Sequence, residues 1–349
     1  MNISMRIASA DEGTTGSPVV VLLSNAECWD RLPETLSGFG QPLPSWVRAV
    51  AIHLPRTAAA MLELDFAHRT QSPVDPDLRA KMRWVIADAN HCDYSKAYAI
   101  ADLKRAGATD KVVRVLTGDP KAWPDADQQS LEFARLLTVA APTIPDSMFE
   151  ELRQEFGDNQ VASMVLLAAY GNFQDRIVLG LNLPLEEHGP LEAIDVEFAE
   201  GALQIASLIP PHGEVPTLQA AGEDVIPDDG DWAAISFDQL QTRLEQQRDR
   251  KPRLPVPSWD EVKGKLPPAM ATRPTRIVWS LMTYGYAAEL QIPWSIATRT
   301  MWAELPGDRV LGSAKAMSTF WWLCRGLYMT RISDGFQLPL ERENVFGNH

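Results

Sequence analysis

From Pro44 to about Leu183 the apolar side chains recur at steps of three and four. Val50, Leu54, Ala58, Met61 and Leu62 form one such series, and Val161, Met164, Val165, Ala168 and Ala169 form another. On a helix of 3.6 residues per turn such positions share one face. Two-residue alternation, the mark of a half-buried strand, is nearly absent. The boundary residues agree with helices. Pro76-Asp77 opens a helix entering Leu78, Gly107 caps the stretch that passes Leu103, and Thr109 and Asp110 start the next segment. Asp125 or Asp127 caps a helix through Leu131, Phe133, Leu136 and Leu137. Pro145-Asp146 precedes one through Phe149, Leu152 and Phe156, and Asp158 begins a long one toward Leu181.

After Ile209 the pattern breaks. Prolines at positions 210, 211, 216, 227, 252, 255, 257, 267, 268 and 274 forbid long regular elements. One island of order is predicted there: Ser236 to Gln239 reads as a capping box, and Phe237, Leu240 and Leu244 make a single apolar stripe on a short charged helix. A second helical block runs from Ile277 to about Phe336 and carries Trp279, Trp294, Trp302, Trp321 and Trp322 with Met282, Met301, Met317 and Met329. Such aromatics either fill a core or line an apolar pocket. The expected fold class is all-α. The expected divisions are an N-terminal extension over 1–43, a helical domain over 44–209, a Pro-rich connector over 210–274 and a second helical block over 275–349. A shift of 234 positions lays Ala80-Lys81 on Ala314-Lys315 and Tyr94 on Tyr328, which suggests a worn repeat.

The 349 residues, 45% hydrophobic and 22% charged, describe an ordinary globular chain of two domains or one elaborated one. Lys and Arg total 32 against 46 Asp and Glu, a net charge of −14 that argues against nucleic acid and anionic membrane surfaces as partners. No apolar run approaches the length of a membrane span, and the start lacks the pattern of a signal peptide. Three cysteines are an odd and sparse set, which points to the reducing cytoplasm rather than a disulfide framework.

Phosphate loops, dinucleotide-binding turns, serine nucleophile elbows and His-Glu-x-x-His helices are all missing from the sequence. The run Asp228-Asp229-Gly230-Asp231 invites a calcium loop, but placing Gly230 at the sixth position puts Val225, Pro227 and Ser236 where oxygen-rich ligands belong. It reads as a solvated turn. His53, His68, His91, His188, His212 and His349 lack ligand spacing, and the Glu186-Glu187-His188 cluster reads as a surface loop. No metal or cofactor is expected.

One stretch carries chemistry. Leu78-Arg79-Ala80 is followed by Asn90-His91-Cys92-Asp93-Tyr94-Ser95, then Asp102-Leu103 with Ala106-Gly107, and later Asn172-Phe173-Gln174-Asp175-Arg176. This series resembles the alkylhydroperoxidase D-like, or carboxymuconolactone decarboxylase, superfamily over roughly Pro44 to Leu183. In that family a Leu-Arg-Glu opening precedes Asn-x-Cys-x-Tyr-Cys, with a His four residues beyond the second Cys. The resemblance implies an alkylhydroperoxidase D-like bundle that self-associates, and a thiol pair that reduces a hydroperoxide while Glu and His relay protons. It makes Cys92, Tyr94 and Ser95 the candidate site. Most of the working residues are replaced: the acidic position is Ala80, the second Cys is Ser95 and the His position is Ala99.

Two local settings for Cys92 stay open. If Asn90 caps a new helix, Cys92 lies in its first turn, where free amides and Lys96 favour a thiolate while Asp88 and Asp93 oppose it. If one helix runs through from Leu78, Cys92 is a buried small hydrophobe. Cys28 and Cys324 have no comparable context. The readings are a thiol-dependent, peroxiredoxin-type oxidoreductase acting on a hydroperoxide or other small molecule, with weak or lost activity, and an inactive helical binding or scaffold protein. A non-redox enzyme like the family's lactone decarboxylases is a third, though those members carry a His where this chain has Ala99.

Overall fold

The computed structural model describes residues 18–199, 235–272, 274–304 and 313–340. These residues are all-α apart from one two-stranded ribbon. In chain order the helices are α1 (Asn25–Trp29), α2 (Ser45–Val50), α3 (Pro55–Phe66), α4 (Pro76–Ala89), α5 (Asp93–Arg105), α6 (Asp110–Leu116), α7 (Asp125–Val139) and α8 (Asp146–Phe156). They continue with α9 (Asp158–Gly180), α10 (Phe237–Arg248), α11 (Trp259–Lys263), α12 (Val278–Ala303) and α13 (Ser313–Gly335). A π-turn, Ala67–Gln71, extends α3. The ribbon pairs β1 (Thr35–Ser37) antiparallel with β2 (Glu197–Phe198). Gly38, directly after β1, has φ +82°, and a Cβ there would sit 2.5 Å from the Asp195 carbonyl oxygen, so only glycine fits.

The organising element is α9. Between Val161 and Val178 every residue except Arg176 is buried, so this helix has no solvent face and must be surrounded. On it pack α4, α7 and α8, and on its other side α12 and α13. Asp75 starts α4 by accepting from the amides of Asp77 at 3.0 Å and Leu78 at 3.4 Å, with Pro76 in the first turn where its missing N–H costs nothing. Gly107, at φ +97°, follows the end of α5. Asp125 and Asp127 lie within the first turn of α7 rather than at its cap, which is Pro124; their charges still favour that helix end.

The second block joins the same core. Helix α12 lies against α3 and α9, and α13 against α9. Phe173 of α9 meets the rings of Trp294 and Trp321 edge-on at 4.9 and 5.2 Å, and Trp294 stacks on Tyr328 at 3.5 Å. Trp294, Trp321 and Tyr328 are core, whereas Trp302 and Trp322 are exposed. Glu304, just after α12, caps α3 from 247 residues away: its carboxylate accepts from the amides of Arg56 at 2.6 Å and Thr57 at 2.7 Å and from the Thr57 hydroxyl at 2.6 Å. No side chain of its own segment caps α3. Positions paired by the 234-residue shift have unlike settings, since Cys92 sits in the turn between two helices and Gly326 inside α13.

Segment 18–43, expected as an extension, buries Cys28, Trp29, Leu32 and Leu43 in the main core. The capping box at Ser236 and Gln239 is present, but the Phe237, Leu240 and Leu244 stripe is exposed. A second capping box, Ser258 with Glu261, starts α11 inside the Pro-rich stretch, where no further order was expected. Asp228 to Asp231, His212 and His349 lie outside the described residues. No helix among the described residues is long and apolar enough to cross a membrane.

Candidate functional site

The Asn-x-Cys-x-Tyr stretch forms the connection between α4 and α5. Asn90 ends α4, His91 follows at φ +57°, and Cys92 is the N-cap of α5. The His91 amide donates to the Asp88 carbonyl at 2.9 Å and the Cys92 amide to the Ala87 carbonyl at 2.8 Å. That bond pair is a Schellman ending, with a histidine at the left-handed position usually held by glycine. Cys92 is therefore neither in the first turn of a helix capped by Asn90 nor inside one continuous helix.

The late motif on α9 explains why this turn sits where it does. The Asn90 side-chain amide donates to Asp175 at 2.9 Å and to Asn172 at 3.3 Å. Arg83 grips both oxygens of the fully buried Asp175 and donates to Gln174 at 3.1 Å. Gly171 permits this approach, because a Cβ there would lie 2.9 Å from Ile86 and 3.4 Å from Arg83. The motif residues on α4 and α9 thus form one buried polar junction.

Above the junction lies a cavity of about 540 Å³, within the usual range for small-molecule sites. Asp65 and the π-turn residues His68, Arg69 and Thr70 form one wall. Arg79, Ala80 and Arg83 of α4 form the second, Tyr94, Ser95, Tyr98, Ala99 and Asp102 of α5 the third, and Leu167, Tyr170 and Gln174 of α9 the fourth. Glu192 and Ala193 close the rim. Ala80, Ser95 and Ala99, the positions where the resemblance expected an acid, a second thiol and a histidine, all line this space.

Cys92 does not line it. The thiol is fully buried and donates to the Ser95 hydroxyl oxygen at 3.4 Å. Burial, reinforced by the Asp175 charge, pushes it up to about 11, against the weaker pull of Ser95 and Arg83. Burial likewise raises Cys28 to about 11 and Cys324 to about 12, and all three thiols are free. Tyr94 does line the cavity, but its hydroxyl is engaged: it donates to Glu186 at 2.7 Å, as Tyr98 does at 2.8 Å. Burial holds both phenols protonated, above their ordinary range. Glu186 also accepts from the Ser45 amide at 2.7 Å, so the stretch read as a free surface loop is tied to α2 and α5.

The charges of the wall are nearly all matched. Arg69 binds Asp102 at 2.8 and 2.9 Å and Asp65 at 3.2 Å; Arg105 binds Asp102 at 2.8 Å and lies 3.8 Å from Glu192; Arg83 is held by Asp175. Arg79 is the exception. Its guanidinium hydrogen-bonds only to main-chain carbonyls, those of Arg69, Ser72 and Val74; the Asp102 and Asp75 carboxylates act on its charge without bonding it. Its neighbour His68 is fully buried, stacked on Tyr170 at 4.2 Å, and neither ring nitrogen has a hydrogen-bond partner among the described residues. Burial, with Arg79 and Arg83 nearby, lowers it to about 3, so the ring is neutral at pH 7. Sequence reasoning passed over both residues. Arg79 belonged to the quoted motif, but nothing in the spacing marked His68.

No family model matches the chain, and no solved structure matches it. Over 122 residues, 34% of this chain, it is 25% identical to the uncharacterized protein YnjA of Escherichia coli (strain K12). That alignment spans 66% of YnjA's length.

Proposed function

We propose that this chain is an alkylhydroperoxidase D-like helical protein whose cavity binds a small carboxylate-bearing molecule, without a thiol redox cycle. The observation that carries the reading is Arg79, a cation facing the cavity with only main-chain partners while the other charged side chains of the wall are paired. A half-buried guanidinium of this kind is completed by an incoming carboxylate in paired N–H···O bonds. The family assignment is supported by the way Asn90, Asn172, Gln174 and Asp175, motif residues on two distant segments, meet in one junction. The absence of a thiol cycle is supported by the burial of Cys92 and its raised pKa, since peroxide is attacked by the thiolate.

Titration calorimetry with acetate, succinate and phenylacetate, each against its neutral amide, tests the reading. Binding of at least one acid, with no binding of its amide and at least tenfold weakening in Arg79→Gln, supports it. Equal binding of acid and amide, unchanged affinity in Arg79→Gln, or no binding of any acid overturns it.

A second reading, thiol-dependent peroxide reduction, is favoured by one observation: Cys92 touches Ser95, and Ser95 together with Ala80 and Ala99 faces the cavity. It requires Cys92 to become accessible during turnover. Peroxide consumption with a dithiol reductant that is lost in Cys92→Ser would establish it.

A further inference from the structure

We infer that a second cavity, between α6 and α7, binds a medium-chain monocarboxylate, with the alkyl tail against Trp123 and the carboxylate at Lys111. The site is separate from the Arg79 cavity. On α4, Ala80 lines that cavity and Lys81 lines this one, so the helix stands between the two.

The walls call for an apolar guest. The space measures about 290 Å³ and is bounded by Val112, Val115 and Leu116 of α6, by Trp123, and by Leu131 of α7. An apolar cavity of roughly half that size already admits benzene. The polar groups among these walls are engaged with one another. The Trp123 indole N–H donates to the Leu116 carbonyl at 3.1 Å, so the indole offers a guest only its ring surface. The buried Lys81 ammonium binds Asp127 at 2.7 Å and Asp77 as well. A hydroxyl or amide placed inside would give up water for walls already committed to each other, whereas methylenes gain by leaving water.

Charge sets which way the guest enters. Around the buried Lys81 two carboxylates meet one ammonium, so the inner end of the cavity is net negative and turns an anionic head away. On the outer side Lys111 is exposed and has no ion-pair or hydrogen-bond partner among the described residues. The local balance reverses that of the chain. From Asp110 to Lys121 the cations Lys111, Arg114 and Lys121 outnumber Asp110 and Asp119, against a net charge of −14 overall. A carboxylate at Lys111 with its tail directed inward meets both conditions.

Length follows from the size of each contribution. A buried methylene tightens binding about fourfold. An exposed ion pair contributes about two- to fivefold in all. The tail therefore sets the affinity, and the shortest acids do not hold this site.

Titration calorimetry on the full chain with butyrate, hexanoate, octanoate, decanoate and 1-octanol, all below their micelle concentrations, tests this. Affinity should rise about fourfold per methylene and level off once the tail fills the cavity. Octanol should bind about two- to fivefold more weakly than octanoate, and Lys111→Gln should remove that difference. Val115→Trp, which builds a ring into the cavity from a half-buried position, should weaken octanoate at least tenfold, while Arg79→Gln leaves it unchanged. In the wild type the terminal methyl of octanoate should show nuclear Overhauser contacts to the Trp123 ring, a readout that needs no variant to fold. Affinity that does not grow with chain length, octanoate binding that survives Val115→Trp, a head-group difference that survives Lys111→Gln, or a tail without contact to Trp123 overturns the site. Octanoate lost in Arg79→Gln and kept in Val115→Trp belongs to the first cavity, which overturns this site and leaves the carboxylate reading standing. Octanoate bound as expected here, with acetate, succinate and phenylacetate all failing to bind, supports this site and overturns the other reading.

Discussion

The Cys92 sulfur and the Ser95 oxygen lie 3.4 Å apart across the first turn of α5, on the buried side of the cavity floor. A second sulfur at position 95 therefore starts close to bonding distance, with little backbone movement required. The variant Ser95→Cys carries four cysteines, one more than the native three. After mild oxidation it should show two titratable thiols in denaturant. Adding Ala80→Glu and Ala99→His, both facing the same cavity, should raise peroxide consumption well above that of the single variant. Four free thiols after oxidation would mean that the two side chains do not meet in solution.

In the native protein Cys92 should resist thiol reagents. A thiol held near 11 is only about one part in 10⁴ ionised at pH 7, and it has no path to solvent in the folded state. Labelling should track unfolding. Asp175→Asn weakens the fold, so the labelling of Cys92 and of the equally buried Cys28 should rise together in that variant.

The same substitution should be expensive. Arg83 would lose its carboxylate partner while staying buried, and Asn90 would lose an acceptor. Breaking a buried pair from one side costs about 3–5 kcal/mol. Urea unfolding of Asp175→Asn should show that loss as a lower midpoint at unchanged slope.

Stability should bend with pH in two opposed windows. His68 is lowered from 6.5 to about 3 by burial, so between those values the unfolded chain binds more protons and stability falls as pH drops, by at most about 5 kcal/mol. Glu63 is raised by burial from 4.5 to about 7, so there the folded chain binds more protons and stability falls as pH rises. Between about 4.5 and 6.5 the two slopes oppose each other. His68→Phe should therefore make the protein less sensitive to acid below pH 4.5, and Glu63→Gln should gain stability at pH 7 and above. Chemical denaturation at several pH values checks both.

Glu304→Gln should cost about 1–2 kcal/mol, the usual value of a helix cap, because it weakens the bonds from Arg56 and Thr57. The loss should appear in urea unfolding, with α-helical content retained.

Local chemistry was readable wherever it was local. Pro76-Asp77, Gly107, Asp158 and the Ser236 box mark helix ends within a few residues, and the sequence displays them; the capping side chain itself, Asp75, went unread. The state of Cys92 was not readable, because it is set by Asp175, more than eighty residues away, and by helices that close over it. The unbonded ring of His68 and the tethering of Glu186 were hidden for the same reason. Each depends on which groups the folded chain brings, or fails to bring, alongside. The exposed Phe237 stripe shows the converse, a sound amphipathic pattern for which the described residues supply no covering partner.

The long-range cap on α3 also orders events in time. A ribosome adding 5–20 residues per second delivers Glu304 roughly 12–50 s after Thr57. Helix α12, which covers one side of α3, emerges in the same late interval. During that wait α3 has neither its terminal acceptor nor its packing partner, and the π-turn that carries His68 is its continuation. The nascent chain thus holds its cavity wall unfinished until Glu304 has been made.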